Sequence, residues 1–158
     1  MRYWAVIPAA GAGKRMQAGI PKQYLEIDGR TILEITLRQF CSCSLIEGVI
    51  VALSGDDNYF GQLEIASHKK IRQVIGGEER CHSVLNSLHF LSTIADENDW
   101  VLVHDAARPC IDGNDIENLV RALDEHPVGG LLALPVRDTM KRAEEDNLVT
   151  ETVNREGL

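Results

Sequence analysis

The chain has 158 residues, 44% hydrophobic and 25% charged, with 16 Lys and Arg against 24 Asp and Glu for a net charge of −8. This composition is that of a soluble globular domain with a sizeable core and excludes a disordered chain. No run approaches the ~18 apolar residues of a membrane span, Met1–Trp4 leads straight into an apolar strand with no signal-peptide layout, and so acidic a chain is a poor nucleic-acid binder.

Tyr3–Pro8 is a short apolar run ended by proline and predicts a buried strand. Ala9–Met16 follows as a small-residue loop. Thr31 opens a helix through the capping pattern Thr31-x-x-Glu34, with Leu33, Leu37 and Phe40 on one face. Gly48–Leu53 predicts a second strand and Ile71–Ile75 a weaker third. Glu79–Ile94 reads as a helix with Val84, Leu85, Leu88 and Leu91 at core spacing. Trp100–His104 predicts a fourth strand. A helix from Asp112 to about Glu125 follows, turning Ile116, Leu119, Val120 and Leu123 inward. Gly130–Pro135 predicts a fifth strand. Arg137–Leu158 alternates β-formers with charges around a polar turn at Glu144–Asn147, which predicts a projecting hairpin with too few apolar residues for a core of its own.

Alternating strands and helices indicate an α/β sandwich with a mainly parallel sheet. Ligands bind such sheets at the carboxyl ends of the strands. The loops at Ala9–Arg15, Gly76–Ser83 and Asp105–Arg108 each follow a predicted strand. Charge is also unevenly spread: residues 1–30 hold five cations (Arg2, Lys14, Arg15, Lys22, Arg30) against two anions (Glu26, Asp28), so they carry +3 and the remainder −11. Positive charge gathers where the glycines are. Cys41, Cys43, Cys81 and Cys110 lack metal-ligand or disulfide-framework spacing and read as reduced thiols of a cytoplasmic protein.

Four constellations carry chemistry. In Pro8-Ala-Ala-Gly-Ala-Gly-Lys-Arg-Met16 the small residues let backbone N–H groups approach a phosphate, and Lys14, Arg15 and Lys22 can neutralise a triphosphate. The loop lacks the third glycine of a dinucleotide fingerprint and the spacing of a Walker A loop. In Val101-Leu-Val-His-Asp-Ala-Ala-Arg-Pro109, Asp105 ends a buried strand and suits Mg²⁺ held by one carboxylate, substrate phosphates and water. It equally suits a capped turn, and Arg108 could pair with Asp105 or with a phosphate. In Gly76-Gly-Glu-Glu-Arg-Cys-His-Ser83 a turn opens a helix whose N-terminus favours anions. There Arg80 and Ser83 are candidates for reading a base edge, while Glu78 and Glu79 equally suit the helix dipole. The fourth, Pro135–Arg142 with Arg155, is also what a solvated hairpin looks like.

Together these residues resemble the 2-C-methyl-D-erythritol 4-phosphate cytidylyltransferase family. The resemblance runs from Ala5 to Leu158 and is most specific where His-Asp-Ala-Ala-Arg-Pro combines with Pro-Val-Arg-Asp-Thr-Met-Lys. It implies a three-layer Rossmann-like sandwich with a nucleotide-binding domain over residues 1–135 and a β-arm over 136–158. It implies transfer of CMP from CTP to methylerythritol phosphate with Mg²⁺. Arg15 and Lys22 would be catalytic, and Ala9, Ala10, Gly11, Gly13, Gly76, Glu78, Arg80, Ser83 and Ala106 would bind CTP. Asp105 would hold the metal and, with Arg108, Thr139 and Arg155, contact the polyol phosphate. The arm would reach into a second copy, making a homodimer.

Members of that family continue past this length, so the resemblance implies that a C-terminal return to the sheet, with a late lysine of the substrate site, is missing here. Alternatives are a cytidylyltransferase for another polyol phosphate, such as ribitol 5-phosphate, or a non-catalytic nucleotide-binding module. A nicotinamide oxidoreductase is disfavoured by the absent third glycine.

Overall fold

The computed structural model describes residues 1–11 and 20–158. Contacts divide the chain into two compact units, residues 1–121 and 122–158. The first unit begins with β1 (Tyr3–Pro8), a 3-10 turn at Lys22–Tyr24, and the short antiparallel pair β2 (Glu26–Ile27) and β3 (Arg30–Thr31). Asp28 and Gly29 join that pair with φ of 50° and 76°, the left-handed pair that a two-residue hairpin loop demands. Then come α1 (Ile32–Ser42), β4 (Ile46–Leu53), 3-10 turns at Phe60–Gln62 and Glu64–Ser67, β5 (Ile71–Ile75), α2 (Arg80–Leu91), β6 (Trp100–Val103) and α3 (Gly113–Ala122).

The main sheet has the order β5-β4-β1-β6, and every pairing in it is parallel. Alternation along the strands sorts the core into two layers. Ala5 and Ile7 of β1, with Val49 and Val51 of β4, face Leu33, Leu37 and Phe40 of α1 and Ile116 of α3. Trp4, Val6 and Ile50 face the other way, against Leu91 of α2. Helices thus cover both faces, as an all-parallel sheet requires. Gly48 makes room for the Trp4 ring: a Cβ there would lie 2.6 Å from its edge.

The Thr31 hydroxyl accepts the Glu34 N–H at 3.1 Å, so α1 starts on the expected cap. The helix α2 corrects its expected face. Leu85 and Leu88 are exposed, and the buried positions are Ser83, Ser87 and Leu91. The small serines bring the helix close to the sheet, and Ser87 satisfies its own hydroxyl by donating to the Ser83 carbonyl at 2.9 Å. The expected fourth strand ends at Val103, and α3 is shorter at both ends than its periodicity predicts.

The second unit contains β7 (Lys141–Ala143) and β8 (Val149–Thr152), an antiparallel hairpin whose strand residues are all exposed. Asn147 takes the left-handed conformation at φ 62° in its turn. The predicted fifth strand over Gly130–Pro135 is absent. Leu131, Leu132 and Leu134 are exposed, and no strand among the described residues pairs with the run. Apolar residues form a strand only where a sheet edge accepts their backbone groups. Among the described residues, no helix is long and apolar enough to cross a membrane.

Candidate active site

Because β1, β5 and β6 run parallel, their following loops meet at one edge of the sheet. Each loop starts with one more ladder bond: Ala9 N–H to Ala52 O at 2.7 Å, Gly76 N–H to Leu53 O at 2.7 Å, and His104 N–H to Val6 O at 3.0 Å. Between them lies a cleft of about 350 Å³, lined by Pro8, Ala9, Gly11, Lys22, Gln23, Gly77–Arg80, Ser83 and Asp105–Arg108.

The first wall is bare backbone held by a glutamine. Buried Gln23 donates through Nε2 to Ala9 O at 2.8 Å and to Gly11 O at 3.2 Å. Its neighbour Tyr24 anchors the turn by donating its hydroxyl to Asp57 at 2.6 Å and stacking on Tyr59 with centroids 5.0 Å apart. Burial first, then the Asp57 hydrogen bond and charge, push the Tyr24 phenol well above its usual range, so it stays a donor. Lys22, the residue before Gln23, is exposed in the cleft with no carboxylate partner among the described residues.

The second wall needs glycine for closeness of approach. A Cβ on Gly76 would lie 2.5 Å from the Ala10 Cβ and 2.8 Å from the Ser83 hydroxyl. Ser83, almost wholly buried, accepts the Gly77 N–H at 3.0 Å and so fixes the turn into α2. Ala10 and Gly76 therefore pack together behind the wall, while Ser83, Glu78 and Arg80 reach the cleft itself.

The third wall carries the charge. Asp105 accepts a hydrogen bond from Arg80 Nε at 2.8 Å on one oxygen, and its other oxygen forms an ion pair with Arg108 Nε at 2.9 Å. Burial works to raise this carboxyl, but the Arg80 hydrogen bond and charge, then the charges of Arg108 and His104, outweigh it and hold the group below its ordinary value. Asp105 is thus ionised at neutral pH. The Asp105–Arg108 loop is shaped from behind. His104 Nε2 sits 2.9 Å from Arg108 O and its ring lies 5.2 Å from that of Phe40. The fully buried Thr36 hydroxyl lies 3.0 Å from the Ala106 carbonyl.

Of the residues singled out in the sequence, Ala9, Gly11, Lys22, Glu78, Arg80, Ser83, Asp105, Ala106 and Arg108 come together in the cleft. Gly13 and Arg15 lie outside the described residues. Thr139 and Arg155 belong to the second unit, where Arg155 donates to the carbonyls of Arg137 and Asp138. With Val136, Arg137, Asn154 and Glu156, Arg155 lines an open concavity of about 560 Å³. Sequence reasoning assigned no role to Gln23 or Thr36. Gln23 stood inside the Pro21–Tyr24 motif, and Thr36 is a polar residue at core spacing on α1.

Residues 3–158 match the family described as 2-C-methyl-D-erythritol 4-phosphate cytidylyltransferase. A protein of that name from Vibrio vulnificus is 53% identical over 154 residues, covering 98% of this chain and 65% of its own length. One from Pseudomonas aeruginosa is 49% identical, covering 97% and 66%. A crystal structure of 4-diphosphocytidyl-2C-methyl-D-erythritol synthase superposes with a TM-score of 0.86 at 35% identity, covering 99% of this chain and 70% of the other. The Francisella tularensis cytidylyltransferase gives 0.76 at 35% identity, covering 100% and 68%. The chain therefore spans just under two thirds of the Vibrio relative's length. In fold it is an α/β Rossmann-like sandwich, and by sequence it belongs to the 2-C-methyl-D-erythritol 4-phosphate cytidylyltransferase family.

Proposed function

We propose that the cleft binds CTP and that the protein transfers its CMP group to 2-C-methyl-D-erythritol 4-phosphate, releasing pyrophosphate. The observation that carries this reading is the convergence of a lysine with no carboxylate partner among the described residues, two arginines and an ionised aspartate over bare backbone at the carboxyl ends of parallel strands. The cleft volume of about 350 Å³ suits a ligand of nucleotide size.

A phosphomonoester is largely dianionic near neutral pH, its second pKa being about 6. The substrate phosphate can therefore attack the α-phosphorus in line without a general base. The oxygen–phosphorus bond to the incoming phosphate forms as the bond to pyrophosphate breaks. The protein's work is then positioning and charge stabilisation. Lys22 faces the charge that develops on the phosphates, and the resemblance gives Arg15 the same catalytic role. Ala9, Gly11 and Ala106 offer close backbone approach. Glu78, Arg80 and Ser83 surround the nucleoside, and Arg108 is free to exchange Asp105 for a phosphate.

Asp105 fits Mg²⁺: it is an ionised carboxylate lining the cleft, and this cation takes one or two carboxylates plus phosphates and water. When bound, Mg²⁺ supplies charge neutralisation on the phosphates. Thr139 and Arg155 would contact the polyol phosphate. The exposed hairpin of the second unit would pack against a second copy, since a lone two-stranded hairpin is marginally stable. A cytoplasmic small-molecule enzyme is the setting we infer from the net charge of −8 and from cysteines that read as reduced thiols.

The test is pyrophosphate release from CTP and Mg²⁺ with methylerythritol phosphate, with ribitol 5-phosphate as comparator. Release with the first and little with the second is expected. Preference for ribitol 5-phosphate, or no release with either, overturns the reading.

A further inference from the structure

One group of side chains at the start of α2 takes no part in the proposed reaction. Glu79, Cys81 and His82 are exposed, and their ligand atoms all lie within 4.8 Å of one another. The cysteines show no metal-ligand spacing among themselves, but here one cysteine joins a carboxylate and an imidazole. The backbone explains the convergence. Glu79 is the N-cap residue, extended at φ −115° and ψ 163°, and its side chain makes no capping bond. An N-cap side chain lies over the second and third helical residues, which here are Cys81 and His82.

The separation of one donor pair fits a particular ion. The Cys81 Sγ donates to Glu79 Oε2 at 3.6 Å. A tetrahedral zinc with bonds of ~2.3 Å to sulfur and ~2.0 Å to oxygen sets those two atoms about 3.5 Å apart. His82 is also braced, because its Cβ occupies the space that a side chain on Gly77 would need. A helix N-terminus disfavours a bare cation, but it favours the two anionic ligands that would surround this one.

We propose that Glu79, Cys81 and His82 form a binding site for a zinc-class divalent cation at the rim of the cleft. Three protein ligands leave the fourth position to water. The thiol proton leaves to solvent as the metal–sulfur bond forms. Thiolate and imidazole select Zn²⁺ or Co²⁺ over Mg²⁺, so the site is chemically distinct from Asp105. It is independent of the proposed reaction, and its test reads no activity. Glu79 lines the cleft and Arg80 reaches Asp105 from the same turn, so an ion here fixes the segment that carries both.

The experiment titrates the whole chain with Zn²⁺ by calorimetry and with Co²⁺ by absorption, in excess Mg²⁺. One ion per chain and a thiolate-to-cobalt band are expected. Cys81→Ser should abolish the band and, like His82→Ala, weaken Zn²⁺ binding at least ~10-fold, whereas Cys110→Ser should change neither. Retention of the band or of full affinity in Cys81→Ser overturns the proposal. So does equal loss in Cys110→Ser, or the absence of saturable Zn²⁺ binding to the unaltered chain.

Discussion

Arg80 Nε lies 2.8 Å from Asp105 Oδ1, tying the first turn of α2 to the loop after β6. The two side chains are 59% and 33% exposed, and pairs so open to water are worth only about 0.2–1 kcal/mol. The link is therefore a poor stabiliser, and both residues line the cleft in which the proposed function seats CTP. Arg80→Ala should leave the thermal midpoint almost unchanged while raising KM for CTP on the order of tenfold, the loss of one charged hydrogen bond. An unchanged KM would remove Arg80 from the nucleotide site.

Lys22 has no carboxylate to neutralise it among the described residues, so its charge is available to phosphate. Lys22→Ala should lower kcat by about 10²–10³ at saturating substrates, as for other single donors to developing charge. Steady-state pyrophosphate release measures this directly, and full turnover would exclude Lys22 from catalysis.

Gly76 tests closeness of approach. An alanine Cβ would sit 2.5 Å from the Ala10 Cβ, and overpacking of this kind costs about 1–3 kcal/mol. Gly76→Ala should lower the unfolding free energy measured in urea by that amount. Adding Ala10→Gly should restore part of it, because the two residues share one space. Strict additivity of the two changes would show that the clash lies elsewhere.

Gln23 holds the carbonyls of Ala9 and Gly11 in the loop after β1. Gln23→Leu keeps the shape but leaves Ala9 O and Gly11 O without that donor, costing about 1–3 kcal/mol. Equilibrium unfolding should show that loss together with a raised KM for CTP. A change in stability with KM unaltered would make Gln23 a core residue only.

Asp99 provides a pH-dependent contribution. It accepts from the backbone N–H and Nε of Arg2, Trp4 Nε1 and the Asp96 N–H. Burial opposes ionisation, but these donors, Trp4 foremost, and the Arg2 charge lower its pKa from 3.8 to about 2. A depressed folded pKa contributes stability above the unfolded value and loses it as pH falls through the folded one. Asp99→Asn should therefore be less stable than the parent at pH 7, the gap closing as pH falls from about 4 towards 2. A gap that persists unchanged at pH 2 would mean that the carboxylate charge contributes nothing.

Local rules were legible where one physical cause dominated. The β1 run, the Thr31 cap and the hairpin around Asn147 follow from burial, capping and turn chemistry, and the structure has all three. The Asp28-Gly29 turn was equally legible as an Asp-Gly pair and went unread. On α2, periodicity pointed to Leu85 and Leu88, but close approach to the sheet favoured the small Ser83 and Ser87. Arg108 could not be assigned from spacing because it needed the position of Asp105, which only the loop geometry provides. Gln23 was hidden for the same reason, since a buried glutamine differs from a solvated one only in its partners.

The central place of β1 also governs how the site comes into being. Tyr3 pairs with Trp100, and Pro8 with Ala52, so the walls of the cleft do not come together until segments far apart along the chain have met. Closing such loops costs entropy before any contact repays it, and topologies of this kind fold slowly. Helical signal from α1 and α2 should return early in refolding, with the cleft appearing only when the last strand docks. Nucleotide affinity would then serve as a clock for the final folding step.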